Sequence, residues 1–94
     1  MSEHPKGIVC LITDKNGREM AAATDFDTSG YGGFTLQEAQ TIRAKDAVYR
    51  KLIHNLCSAD MANAIGSHYS QQIFQQMQHT AGYTLHTIKI GYED

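Results

Sequence analysis

The feature that most constrains this chain is a tight-turn signal, Asp14 to Gly17, between two runs of apolar or small residues. The Asn-Gly pair in this signal accepts the positive φ that a tight turn requires. Residues 7–26 are therefore predicted to form a β-hairpin, with its turn at residues 14–17. Three consecutive alanines in the second strand are small enough to let a helix approach the sheet closely.

The first strand of this hairpin is apolar on both of its faces. Successive side chains in a strand point to opposite sides, so one face carries Ile8, Cys10 and Ile12 and the other carries Val9 and Leu11. Such a strand is typical of the centre of a sheet or of a subunit interface. We expect the helices of a small domain to cover one face only, so a homodimer is expected to hide the remaining apolar surface.

The rest of the chain predicts helices followed by a closing strand. Thr35 and Glu38 have the spacing of a capping box, which begins a helix that runs to about residue 57. The apolar face of this helix is expected to consist of Ala39, Ile42, Tyr49, Leu52, Ile53, Leu56 and Cys57.

A second helical stretch begins after Ser58, a good N-cap residue. Gly66 interrupts the pattern, so residues 59–65 and 67–78 form either two helices or one bent helix. Alternation over residues 83–92 predicts a third strand. The expected fold is α+β in the order ββααβ, with a three-stranded, mainly antiparallel sheet and two or three helices packed on one face.

Length and composition fit one small domain. The 94 residues are 41% hydrophobic and 19% charged, enough apolar material for a single core over residues 1–94. Residues 1–6 are predicted to be a flexible N-terminus, and residues 25–34 a glycine-rich loop. The five-residue apolar run at residues 8–12 is too short for a signal peptide or a membrane span, and two cysteines without CxxC spacing indicate a reducing compartment. A cytoplasmic location without membrane association is expected.

No catalytic pattern is found in the sequence. It lacks GxSxG, GxGxxG and GxxxxGK[ST], and its five histidines lack the HxxxH and HExxH spacings that bring two imidazoles to one metal. We therefore expect a non-enzymatic accessory or regulatory protein with no cofactor and no metal. Its expected mode of action is protein–protein interaction.

Glutamine and tyrosine supply the candidate surface for a partner protein. Five glutamines fall within residues 71–78, and uncharged amides and phenols tolerate partial desolvation better than charged groups do. The expected partner-binding residues are Tyr31, Tyr69, Gln72, Gln75 and Gln76.

Nucleic-acid binding is the alternative. Arg43, Arg50, Lys51 and His54 form a basic stripe along the first helix, which could lie on phosphates. Asp46 can pair with Arg43 and Arg50 at helical spacing, and the formal net charge of the chain is −2. Both observations reduce the positive potential of the stripe.

The glycine-rich loop also resembles the first half of a calcium loop. Asp25, Asp27 and Ser29 stand at alternate positions, and Gly30 occupies the sixth. The twelfth position, which requires a bidentate glutamate, is Leu36. A structural turn is therefore the expected role of these three residues, with a metal site as the weaker alternative.

Overall fold

The hairpin forms the core of a three-stranded antiparallel sheet. A computed structural model describes residues 5–93, with the side chains of residues 67 and 68 excepted. Strands β1 (Gly7–Thr13) and β2 (Glu19–Asp25) are followed by α1 (Leu36–Leu56), α2 (Ala59–Thr80) and β3 (Thr84–Ile90). The sheet order β2-β1-β3 places β1 in the centre, one of the two positions that its apolar faces indicated. The predicted α+β fold is confirmed.

Local chemistry sets the boundaries of these elements. Gly17 has φ +81°, and the Asp14 carboxylate accepts the backbone N–H groups of Asn16 and Arg18 at 2.8 and 2.9 Å, closing the turn. These bonds hold the pKa of Asp14 below its usual value. The predicted capping box is present, since Thr35 and Glu38 each accept the backbone N–H of the other, and Ser58 caps α2.

Gly66 interrupts α2. Its backbone has φ 74° and ψ 170°, a conformation that breaks helical continuity and divides α2 into two segments. The hydroxyl of Ser70, which is almost fully buried, donates to the Gly66 carbonyl at 2.7 Å just beyond the break. The structure thus has three helical segments, whereas the sequence left open whether there are two helices or three.

Helix α1 covers one face of the sheet. Ile8, Cys10 and Ile12 are fully buried beneath it, and Ala21 and Ala23 of β2 let it approach closely. We call this the covered face. Helix α2 packs against α1, with the Phe74 ring 5.1 Å from that of Tyr49.

The buried surface of α1 differs from the expected one. Ile42 and Leu56, expected in the core, are 41% and 42% exposed. The positions that α1 buries are Ala39, Gln40, Ala44, Val48, Tyr49, Leu52 and Ile53. Burial on α1 depends on where β2 and α2 contact it, and the helical period alone does not contain that information.

The opposite side of the sheet is not covered by any element in the described part of the chain. Register places Val9 beside Thr24 and Ile88, and Leu11 beside Ala22 and His86. Val9, Leu11 and Ala22 are half-buried, whereas Ile88 is 45% exposed. We call this the open face. Neither helix, over the residues described, has an apolar stretch that could cross a bilayer.

Candidate protein-binding groove

A groove of about 780 Å³ runs along the outer side of α2. We call it the α2 groove. It is lined by Ile65, Tyr69, Gln72, Ile73, Gln75, Gln76 and His79. Ile65 precedes the break at Gly66 and the other lining residues follow it, so the groove spans the point where the helix changes direction.

The lining chemistry is apolar and amide-rich. Ile65 and Ile73 are half-buried, and Tyr69 is 61% exposed. No aspartate, glutamate, lysine or arginine is among the described lining residues. Such a surface loses little solvation energy on contact with another protein, while the amides supply both donors and acceptors of hydrogen bonds.

Four of the five residues expected to bind a partner meet in this groove. Tyr69, Gln72, Gln75 and Gln76 line it together. Tyr31 does not join them, because it lies in the glycine-rich loop with its ring 5.4 Å from the Arg43 guanidinium. Its other neighbour is Phe34, in an edge-to-face contact at 6.4 Å. The residues that were expected to form one surface therefore lie on two separate surfaces.

Arg43, one of the four residues of the basic stripe, is neutralised within the protein. The Arg43 Nε forms an ion pair with Asp25 at 2.9 Å, and its Nη1 and Nη2 donate to the carbonyls of Ser29 and Asp27, each at 2.8 Å. The bond to Asp25 raises the pKa of Arg43 above its usual value. Arg43 thus orders the glycine-rich loop instead of presenting its charge to a phosphate.

The remainder of the stripe lies on the surface of α1. Arg50 lies 3.6 Å from Asp46, the pairing that the spacing suggested, whereas Arg43 pairs with Asp25 and not with Asp46. Lys51 and His54 are exposed. The geometry therefore gives less support to a phosphate-binding surface than the sequence pattern did.

The calcium-loop residues form turns. Asp25 Oδ1 accepts the backbone N–H of Asp27 at 3.1 Å, and Asp27 Oδ1 accepts that of Ser29 at 2.9 Å. The latter bond holds the pKa of Asp27 below its usual value. Among the described side chains, no three of the types His, Cys, Asp and Glu are grouped as a metal site requires. His4 and the side chain of His68 lie outside the described residues.

Sequence reasoning missed Gln40, a fully buried polar residue of α1. Its Nε2 donates to the carbonyls of Lys6 and Asp27 at 2.9 and 3.2 Å, and its Oε1 accepts the Tyr92 hydroxyl. The Lys6 ammonium also lies over the Tyr92 ring, 5.4 Å from its centroid. One amide therefore joins the segment before β1, the glycine-rich loop and the segment after β3. Gln40 stands among other polar residues, including Gln37, Glu38 and Thr41, so nothing in the sequence distinguished it from an exposed glutamine.

No protein-family model matches the sequence, and no curated protein or solved structure is significantly similar to it.

Proposed function

We propose that this chain is a non-enzymatic accessory domain that acts by binding another protein through the α2 groove. The supporting observation is the convergence of Tyr69, Gln72, Gln75 and Gln76 with two isoleucines in one uncharged concavity. Tyrosine is enriched at protein interfaces, and charged residues are depleted in their buried centres.

The proposed partner element is an amphipathic helix of low charge. Beyond the break at Gly66 the lining extends from Tyr69 to His79, or roughly 15 Å at about 1.5 Å per residue. A helix laid along it would place apolar side chains on Ile65 and Ile73 and polar ones against the amides. Such a partner needs no charged residue at the contact, because the lining presents none.

The test compares two double variants of matched charge. Gln72→Glu with Gln76→Glu places two carboxylates in the α2 groove, and Gln71→Glu with Gln78→Glu places two on exposed positions of the same helix outside it. The full chain and both variants are used to capture proteins from a nuclease-treated native lysate. A true partner is retained by the wild type and the control and reduced about tenfold or more by the groove variant.

A second measurement ties the captured protein to the groove. Amide hydrogen exchange over residues 69–76 should slow when the purified partner is added. Equal capture by the two double variants would contradict the proposal. In a parallel capture from lysate without nuclease treatment, recovery of nucleic acid that weakens steeply with salt and is insensitive to both variants would favour the alternative.

A cytoplasmic location is proposed on separate grounds. Both cysteines are unpaired thiols, Cys10 fully buried beneath α1 and Cys57 half-buried at the end of that helix. Burial raises the pKa of the Cys10 thiol and so suppresses its reactive thiolate. Unpaired thiols are typical of a reducing compartment, and fractionation of cells that produce the chain tests this location.

A further inference from the structure

The open face of the sheet is a second apolar surface, distinct from the α2 groove. Phe26 extends it one position beyond β2, with its ring against Gly7, where an added Cβ would meet ring atoms at 2.3 to 2.7 Å. Phe26 is 42% exposed, and Ile88 and Ile90 in the edge strand β3 are also exposed. Three of the large exposed apolar side chains of the described chain therefore belong to one surface.

This surface contains almost no charge. Alternation and register place Val9, Leu11, Ala22 and Ile88 in its centre, with threonines and His86 around them. Lys89 is paired with Ile8, and so it points to the covered face. Within the described residues of the open face, Glu19 is the one formal charge, and it lies at the end where the β1–β2 register shifts.

Two rows of side chains across the open face differ in bulk. The Gly7 row has Phe26 and Ile90 on its sides and no side chain in the middle, whereas the Leu11 row has Ala22 and His86 on its sides. Two copies stacked about a two-fold axis that runs across the strands at Val9 would bring the Gly7 row of each against the Leu11 row of the other, with Phe26 facing Ala22 and Gly7 facing Leu11. Such complementarity to itself is the property that a two-fold interface requires.

We propose that a second copy of this chain stacks face to face on the open face, with the Val9 side chains of the two copies adjacent at the axis. Sheets pack about 10 Å apart in such sandwiches, with apolar side chains interdigitating between them. This interface does not depend on the α2 groove, which lies on another element.

The area of the open face sets the expected affinity of the dimer. Three strands of seven residues cover roughly 14 by 24 Å at about 4.8 Å between strands and about 3.4 Å per residue. This footprint, about 340 Å² on each copy, is smaller than the roughly 800 Å² per partner of a standard specific interface, so a weak, reversible dimer with a dissociation constant on the order of 100 µM is expected.

Sedimentation equilibrium of the full chain between about 1 µM and 1 mM tests the proposal. The mass should rise from 10.4 kDa toward twice that value. Ile88→Lys should weaken association about tenfold or more, because it places an uncompensated charge between the sheets. Ile42→Lys is the matched control: Ile42 is 41% exposed on α1, and its substitution should leave the constant unchanged. The groove variant with Glu at positions 72 and 76 should also dimerise normally, which separates this proposal from the function of the groove.

Disulfide crosslinking tests the same interface without Ile88→Lys, because that substitution could also destabilise the fold. In a Cys57→Ser background, Val9→Cys should form a disulfide-linked dimer under mild oxidation at least tenfold faster than Lys51→Cys, which is exposed on α1. A monomer at 1 mM, or equal crosslinking rates at the two positions, would overturn the proposal. Association that Ile42→Lys abolishes and Ile88→Lys leaves intact would overturn it as well, because the copies would then meet elsewhere.

Discussion

The two faces of β1 carry similar apolar side chains but have different surroundings. On the covered face Ile8, Cys10 and Ile12 are fully buried beneath α1, whereas on the open face Val9 and Leu11 are only half-buried. A strand that is apolar on both sides is typical of a sheet that is covered on both faces. The helices of this chain supply one cover, and the second is the one we propose that another copy provides.

The prediction with the largest expected effect compares the stability that each of these two faces contributes. Ile12→Ala removes a fully buried side chain and should lower the free energy of unfolding by about 2 to 5 kcal/mol, the sum of lost burial and a cavity. Leu11→Ala, on the open face of the same strand, should cost roughly 1 kcal/mol in the monomer. Urea unfolding at concentrations well below the dimer constant measures both. Equal losses would mean that the faces are equally packed.

The next effect concerns the buried amide at the margin of the covered face. Gln40→Leu leaves the Tyr92 hydroxyl and the Lys6 carbonyl without their partner, and it should cost about 3 kcal/mol in urea unfolding. Adding Tyr92→Phe removes the hydroxyl that Gln40→Leu leaves without a partner. The double variant should therefore cost less than the sum of the two single variants, and strict additivity would contradict the role assigned to Gln40.

A smaller effect compares two neighbouring alanines of β2. Ala23→Leu inserts bulk under α1 and should cost about 1 to 3 kcal/mol. Ala22→Leu places the same side chain on the open face, and the monomer should remain within about 0.5 kcal/mol of the wild type. Thermal unfolding at low protein concentration distinguishes the two, and a greater loss for Ala22→Leu would reverse the assignment of the faces.

The smallest effect tests the start of α1, away from both faces. Thr35→Ala removes the cap and should cost about 1 kcal/mol. The same capping box holds the pKa of Glu38 below its usual value, because the carboxylate accepts the Thr35 N–H. A lowered folded-state pKa stabilises above the unfolded value of about 4.3, and this contribution is lost as the pH falls through the folded value.

The contribution of Glu38 to the free energy of unfolding should therefore be constant between about pH 7 and 5 and should decrease below about pH 4. Glu38→Gln should remove part of that acid dependence, whereas substitution of Glu19 with Gln serves as the control, because Glu19 lies outside the capping box. Urea unfolding at several pH values gives the comparison. An unchanged acid slope in Glu38→Gln would contradict the assigned hydrogen bond.

Much of the fold follows from short-range sequence signals. The turn before Gly17, the capping box at Thr35 and the break at Gly66 each depend on residues within a few positions of one another, so their chemistry can be read without knowing the tertiary structure. The clustering of Tyr69 with the glutamines was also predictable, because one helix holds them all.

Other features could not be predicted in this way. Ile42 was expected to be buried and is exposed, whereas Gln40 was overlooked and is buried. The same limit applies to Arg43, which the helix spacing assigned to a basic stripe and the structure pairs with Asp25, eighteen residues away. In each case, residues on a different element decide whether the side chain is buried or paired.

The sequence by itself determined the strands, the helices, their ends and the apolar character of both faces of β1, because backbone preferences, caps and turns act over a few residues. Only the tertiary structure decided which face α1 covers, which polar groups are buried with partners and which apolar side chains remain at the surface. The physical reason is that burial and pairing depend on contacts between segments far apart in the chain, and the periodicity of one segment does not contain the position of another.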